Sequence, residues 1–219
     1  MAELRTEEEQ LEALKRWWKE NGMALVAGVV LAAAGLIGWN AWQSYQANQA
    51  EAASIRYQQL IGLASQERLD EAGLAEAQRL VDEITDAHDG TLYADLSRLI
   101  EARLAVEAGD RVAARAVLGD LVQASEDAYV RDLARLRLAR LQLADDEPAA
   151  AVATLEGELA EALGAQRAEL IGDARLALGE VAAARGAYRD ALSLAERHGQ
   201  ALYGVQLKLD DLGQEGADQ

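Results

Sequence analysis

The chain of 219 residues contains no cysteine, no phenylalanine and a single proline, Pro148. The absence of cysteine excludes disulfides, thiol nucleophiles and thiolate metal sites. With one proline, little interrupts a helix, and the abundance of alanine, leucine, arginine and glutamate is typical of helical proteins. These features predict an all-α fold.

Basic residues are scarce as well. The chain has 21 lysines and arginines against 38 acidic residues, for a formal net charge of −17. Such an acidic protein is a poor candidate for a nucleic-acid partner, because phosphate binding depends on lysine and arginine.

Motifs for catalysis and metal binding are missing too. The two histidines, His88 and His198, lie far apart at predicted helix ends without a third ligand nearby. The sequence has no P-loop, dinucleotide fingerprint or nucleophile elbow. The acidic run at 144–147 falls in a predicted turn and lacks the spacing of a calcium loop. We therefore expect no enzyme, no metal site and no cofactor.

Residues 21–50 carry no charge, and residues 22–39 form an unbroken apolar run. Twenty-two helical residues rise roughly 33 Å, enough for a hydrocarbon core of roughly 30 Å. Paired indoles flank the run, as headgroup anchoring predicts: Trp17, Trp18, Trp39 and Trp42. A buried helix of a soluble protein and a cleaved signal peptide are the alternatives, but the run is long for either and no small-x-small cleavage site follows it. We predict an uncleaved transmembrane helix over 21–42.

The orientation of this helix follows from its flanking charges. Lys15, Arg16 and Lys19 precede it, and the first basic residue after it is Arg56. Because positive charge stays on the cytoplasmic side, the N-terminus should lie inside and the remainder outside, which in a bacterium is the periplasm. The prediction is a single-pass membrane protein with its N-terminus inside.

One face of the predicted span carries only small residues: Ala24, Gly28, Ala32 and Gly35. Such a face lets another transmembrane helix approach closely. The alternative is chance, since alanine and glycine are common in this chain. We predict a helix-contact face here.

Residues 1–20 form an acidic leader. Thr6 and Glu9 have the spacing of a capping box, and Leu11, Leu14 and Trp18 follow at helical spacing. An interfacial helix is expected, with a docking tail for a cytoplasmic protein as the alternative. The predicted domains are thus the leader (1–20), the span (21–42), a helical domain (43–212) and a flexible tail (213–219).

The helical domain contains a repeated spacing. Gly172 is followed by Gly179, Ala184, Tyr188 and Ala191, which resembles the tetratricopeptide repeat, in which small residues mark the contact between two paired helices. Two further sets have the same spacing: Ala102, Gly109, Ala114 and Leu118, and then Ala139, Asp146, Ala151 and Leu155. We predict a solenoid of antiparallel helix pairs, with an irregular first pair at 51–90 and a capping helix at 200–212. A plain alanine-rich bundle is the alternative.

The first helices of such pairs line a groove in tetratricopeptide domains. Counting from the repeat starts, a partner-binding groove would contain Leu96, Leu99, Arg103 and Val106, and then Leu133, Leu136, Arg140 and Leu143. The third pair places Gln166, Glu169, Asp173 and Leu176 in this row. An apolar groove rimmed by cations suits an extended or helical peptide. The alternative is that these leucines are ordinary core.

The acidic leader with "KRWWKE", the "RWWKENG" junction, one N-terminal span and an alanine-rich body of divergent repeats resemble the YfgM family over the entire chain. Members of this family are ancillary subunits of the SecYEG translocon in the inner membrane of Gram-negative bacteria. The resemblance implies a non-enzymatic adaptor whose periplasmic domain works beside the translocon with the membrane-anchored chaperone PpiD, assisting exported client proteins, and also a cytosolic link to stress-response regulation. The alternative function is an envelope scaffold whose repeats assemble other cell-envelope proteins.

Overall fold

The computed structural model describes residues 7–66, 69–157 and 159–213, and the side chains from Glu9 onward. Within these ranges the chain forms helices and no β-strand, which confirms the all-α prediction. The α-helices are α1 (Glu7–Ala64), α2 (Glu71–Ala87), α3 (Leu92–Glu107), α4 (Arg111–Ala124), α5 (Ala128–Ala144), α6 (Pro148–Thr154), α7 (Gly164–Ala177), α8 (Val181–Arg197) and α9 (Val205–Asp211), and a short 3-10 helix (Glu161–Leu163) precedes α7.

The chain divides into two compact units, Met1–Glu51 and Ala52–Gln219. Helix α1 runs without interruption through the expected boundaries at 20/21 and 42/43, because no proline breaks the helix-forming sequence there. The second compact unit begins at Ala52, within α1. The domain boundaries at 20/21 and 42/43 stay predictions. The proposed capping residue Thr6 and residues 214–219 of the predicted tail lie outside the described residues.

In the first unit, α1 is long and apolar enough to cross a membrane. Its large apolar side chains, such as Leu31 and Ile37, are about 70% exposed. The four predicted anchors Trp17, Trp18, Trp39 and Trp42 are all exposed, and the rings of the last two lie 5.2 Å apart between centroids. An exposed apolar surface of this size is unfavourable in water and favourable in lipid.

The second unit consists of stacked antiparallel helix pairs, and its turns are those that the repeat spacing predicts. The turn residues Gly109, Asp146 and Gly179 all have a left-handed backbone, with φ of 83°, 61° and 78°. Glycine adopts this conformation without cost, whereas Asp146 is the one non-glycine residue of the described chain that does so. The pairs α3–α4, α5–α6 and α7–α8 follow, which confirms the tetratricopeptide-like solenoid.

The small and large residues of the predicted spacing are buried between the helices of each pair. Ala114, Ala151 and Ala184 are fully buried, and four positions further on Leu118, Leu155 and Tyr188 are buried as well. Small residues let the paired helices approach, and the larger side chain fills the space between pairs.

Helix α6 has 7 residues and is shorter than the other helices of the repeats, which have 14 to 17. It ends at Thr154, and Gly157 follows in a left-handed conformation with φ of 85°. Side chains of α5 hold the connection to α7: Arg135 donates hydrogen bonds to the carbonyl oxygens of Thr154 and Glu156, and Asp132 accepts one from the Ala160 amide at 2.8 Å. These bonds replace the missing helical turns.

The two ends of the solenoid differ. At the first end, residues 52–64 of α1 and α2 form a core with α3 that includes Ala53, Leu60 and Leu80. At the last end, the short helix α9 buries Val205 against α7 and α8, which confirms the predicted capping helix. Caps of this kind cover the apolar faces that terminal repeats would otherwise expose.

A cationic groove between the first helices of the repeats

Two neighbouring cavities lie beside α3 and α5: the last turns of α1 line the first, and α4 lines part of the second. One has a volume of about 270 Å³ and the other about 400 Å³. Both are lined by Arg103 and Arg137, which join them into one depression. We call this depression the arginine groove. Its apolar walls are Tyr57, Ile61, Leu96, Leu99 and Leu133 in the first cavity, and Ala102, Val106, Leu118 and Leu141 in the second.

Six of the eight residues predicted for a groove line these cavities. Leu96, Leu99, Arg103 and Leu133 line the first, and Val106 and Arg140 line the second together with Arg103. Leu99 is almost fully buried and forms part of the floor.

The remaining two predicted residues, Leu136 and Leu143, line neither cavity. Leu136 is fully buried in a core cluster with Leu163 and Leu170, and Leu143 packs against the same cluster. The assignment of Leu136 to an open groove surface is therefore wrong, because side chains of α7 and of the segment before it pack over that row of α5. For these two leucines the ordinary-core alternative applies.

Arg137 is a groove residue that the repeat count missed, since it lies one position outside the counted row. Its Nη1 donates a hydrogen bond of 3.0 Å to the Leu99 carbonyl and so links α5 to α3. Burial, reinforced by the neighbouring Arg140 and Arg103, lowers the pKa of Arg137, although arginine at any physiological pH stays charged. An arginine between two leucine positions on the same helix was the only signal in the sequence.

The other two arginines, Arg103 and Arg140, differ in their partners. Arg103 donates a hydrogen bond to the carbonyl of Ala64 at the end of α1, and lies 3.6 Å from an exposed carboxylate, that of Glu107. Arg140 is exposed and makes no ion pair with any residue of the described chain. Burial raises the pKa of the nearby Tyr57 hydroxyl, while Arg137 opposes that rise. Three guanidinium groups thus line one apolar depression, and the exposed carboxylate of Glu107 is the one acidic group of the described chain that pairs with any of them.

In the third row of the predicted groove, α9 binds the two acidic residues, whereas Leu176 is exposed. Lys208 of α9 donates hydrogen bonds to Glu169 at 2.9 Å and to both oxygens of Asp173 at 2.8 and 2.9 Å. The hydroxyl of Tyr188 donates to Asp173 at 2.8 Å, and burial together with this bond raises the pKa of Tyr188. Burial would lower the pKa of Lys208, but the bonds to Asp173 and Glu169 outweigh it and raise that pKa. The acidic residues of this row are therefore already engaged.

On the small-residue face of α1, the only side chains are the methyl groups of Ala24 and Ala32. Ala24, Gly28, Ala32 and Gly35 are all exposed, and a Cβ placed on Gly28 or Gly35 meets no atom within 4 Å. At 100° per residue, the four positions lie within an arc of about 80°. The face is smooth and accessible to a second helix.

The histidines lie apart from the groove. His88 caps the C-terminal end of α2, and its carbonyl accepts a hydrogen bond from the Thr91 hydroxyl at 2.8 Å. Nε2 of His198 lies 3.4 Å from a carboxylate oxygen of Glu161. Within residues 7–66, 69–157 and 159–213, no three histidine, aspartate or glutamate residues come together in a metal-binding arrangement.

Comparison with known proteins supports the same architecture. The profile of a family described as "Tetratricopeptide repeat-like domain" matches residues 15–214. A protein of Haemophilus influenzae named "Ancillary SecYEG translocon subunit" is 32% identical over 206 residues, which cover 94% of this chain and 97% of the relative. The protein of that name from Escherichia coli is 34% identical over 182 residues, covering 83% of this chain and 85% of the relative.

A third relative of the same name, from Aggregatibacter actinomycetemcomitans, is 30% identical over 206 residues, covering 94% of this chain and 97% of the relative. No solved structure matches the chain. Similarity at this level over nearly the full length of several relatives identifies the family. The chain belongs to the YfgM family of ancillary SecYEG translocon subunits and carries its tetratricopeptide repeat-like domain.

Proposed function

We propose that this protein is a membrane-anchored, non-enzymatic adaptor at the SecYEG translocon. The observation that carries the proposal is the near full-length similarity to ancillary translocon subunits, combined with an apolar helix and a repeat domain in one chain. The helix α1 holds the protein in the inner membrane, and its face of small residues contacts a translocon helix. Close packing of small residues is the usual means by which transmembrane helices associate.

The repeat domain acts on the periplasmic side in this proposal. Lys15, Arg16 and Lys19 retain the N-terminus in the cytoplasm, so that Ala52–Gln219 emerges outside. There it works with the membrane-anchored chaperone PpiD to assist exported proteins as they leave the translocon. The arginine groove is the surface through which it holds these partners, because an accessible depression with apolar walls and polar rims suits a peptide segment.

Replacement of Gly28 by leucine tests the association with the translocon. Wild-type protein, purified by affinity from membranes in mild detergent, should recover the translocon subunits and PpiD. Gly28→Leu fills the smooth face and should lower that recovery about fivefold, the equivalent of roughly 1 kcal/mol of helix packing. The measurement is quantitative mass spectrometry of the co-purified membrane proteins.

Val30→Leu is the matched control, since Val30 is exposed on another face of the same helix. It should recover as much translocon as the wild type. Recovery of other envelope proteins without any translocon subunit would instead favour a scaffold of envelope assembly and would refute the adaptor.

The orientation is testable because the chain has no cysteine of its own. Single cysteines at the exposed positions Ser193 and Gln10 report on the two sides of the membrane. In intact spheroplasts, a membrane-impermeant maleimide should label Ser193→Cys fully and leave Gln10→Cys unlabelled until the cells are lysed. Labelling of Gln10→Cys before lysis, with Ser193→Cys protected, would reverse the topology and remove the proposed periplasmic role.

A further inference from the structure

The charge of the arginine groove is opposite to that of the protein. The chain carries a net charge of −17, yet Arg103, Arg137 and Arg140 converge on one apolar depression. Like charges repel, so placing three arginines together is unfavourable. Accordingly, burial and the neighbouring Arg140 and Arg103 lower the pKa of Arg137. The described chain supplies only the exposed carboxylate of Glu107, 3.6 Å from Arg103, to offset this repulsion. An anionic group that binds beside these arginines offsets their mutual repulsion and accepts charge-assisted hydrogen bonds from them.

In the third repeat, the position equivalent to the groove arginines has the opposite charge and is covered by a segment of the same chain. Arg103, Arg140 and Asp173 each follow the small residue of the first helix in their repeat, so they occupy equivalent positions. At Asp173 the position is acidic, and α9 covers it with the cation of Lys208 and the apolar side chain of Val205. The covering segment therefore brings an opposite charge next to an apolar anchor. At Arg103 and Arg140 the charge is reversed and the depression is open.

We propose that the arginine groove binds a segment of a partner protein in which carboxylates stand beside large apolar side chains. This inference rests on the proposed adaptor function and names the chemistry of the segment that the groove selects. One carboxylate accepts hydrogen bonds from Arg140 and Arg137, and a second lies near Arg103. Apolar side chains enter the two cavities, against Leu96 and Leu133 in one and Val106 and Leu141 in the other.

The test measures binding of short fluorescein-labelled peptides to the full-length protein in detergent micelles. The probe peptide contains leucine and glutamate in equal numbers, and two companions replace every glutamate by glutamine or by lysine. The glutamate peptide should bind at least about tenfold more tightly than the glutamine peptide, because charge-assisted hydrogen bonds contribute more than neutral ones. Its affinity should fall with added salt, since the charges are partly exposed.

Arg140→Glu is the decisive variant, because Arg140 is exposed and lies at the groove outside the buried core. It should weaken binding of the glutamate peptide by about tenfold or more and improve binding of the lysine peptide. Arg189→Glu, an equal change of charge at an exposed residue of α8, is the matched control and should leave both affinities unchanged.

The outcomes separate this inference from the adaptor function. Equal or tighter binding of the lysine peptide to the wild-type protein would overturn the inference, even if the translocon still co-purifies. Self-association of the wild type that Arg140→Glu abolishes would also overturn it, because the occupant would then be a second copy. Selective binding of the glutamate peptide without any recovery of translocon would uphold the groove chemistry and refute the adaptor.

Discussion

Replacement of Gly172 by alanine should lower the free energy of unfolding by about 3 kcal/mol, a large effect for a single methyl group. A Cβ on Gly172 would lie 2.4 Å from Cε1 and 2.5 Å from Cδ1 of Tyr188, closer than such atoms approach in proteins. The ring of Tyr188 is fully buried and its hydroxyl donates a hydrogen bond to Asp173. The ring therefore cannot shift to relieve the clash without losing packing and this hydrogen bond. Overpacking of a close-packed interior typically costs roughly 1–3 kcal/mol. Denaturation followed by circular dichroism measures the difference.

The control for this substitution is Gly186→Ala on α8. A Cβ there meets nothing within 4 Å, so the usual gain in helix propensity of roughly 0.5–1 kcal/mol should appear as stabilisation. If Gly172→Ala also stabilised the protein, the close contact between α7 and α8 would be disproved.

The other repeats indicate how the clash is avoided. Where the third repeat has Gly172 with Tyr188, the earlier ones have Ala102 with Leu118 and Ala139 with Leu155. The double variant Gly172→Ala/Tyr188→Leu should therefore recover most of the stability that Gly172→Ala loses. A double-mutant cycle measures this coupling, and two independent, additive effects would contradict the pairing.

Replacement of Leu136 by alanine should cost about 2–5 kcal/mol of stability. Its side chain is fully buried between α5, α6 and α7, and loss of a buried leucine removes transfer free energy and leaves a cavity. The same change would cost little if Leu136 lined an open groove, as its position in the repeat suggested. Chemical denaturation therefore distinguishes the two placements directly.

Val106→Ala is the companion variant, because Val106 lines the arginine groove and is 40% exposed. It should change the stability by less than about 1 kcal/mol, since few contacts are lost at a partly exposed site. We expect Val106→Ala to weaken binding of the glutamate peptide to the groove instead. A reversed pattern, with Val106→Ala unfolding the domain and Leu136→Ala tolerated, would contradict the described packing.

Much of the fold was predictable because it depends on local signals. Left-handed turn residues at Gly109 and Gly179 and small residues at helix contacts leave a spacing that needs no tertiary information. The apolar span is equally local, since its length and lack of charge can be read from consecutive residues. By contrast, the early end of α6 at Thr154 was not predicted, because it depends on hydrogen bonds from Arg135 and Asp132, far along the chain.

By itself, the sequence determined an all-helical chain with one apolar span, three repeats in register and no recognisable catalytic motif. Only the tertiary structure decided which leucines are core and which line the groove, that Arg137 joins Arg103 and Arg140, and that Lys208 neutralises the third row. The physical reason is that periodicity places a residue on a face of its own helix, whereas burial and charge pairing depend on which other helix covers that face.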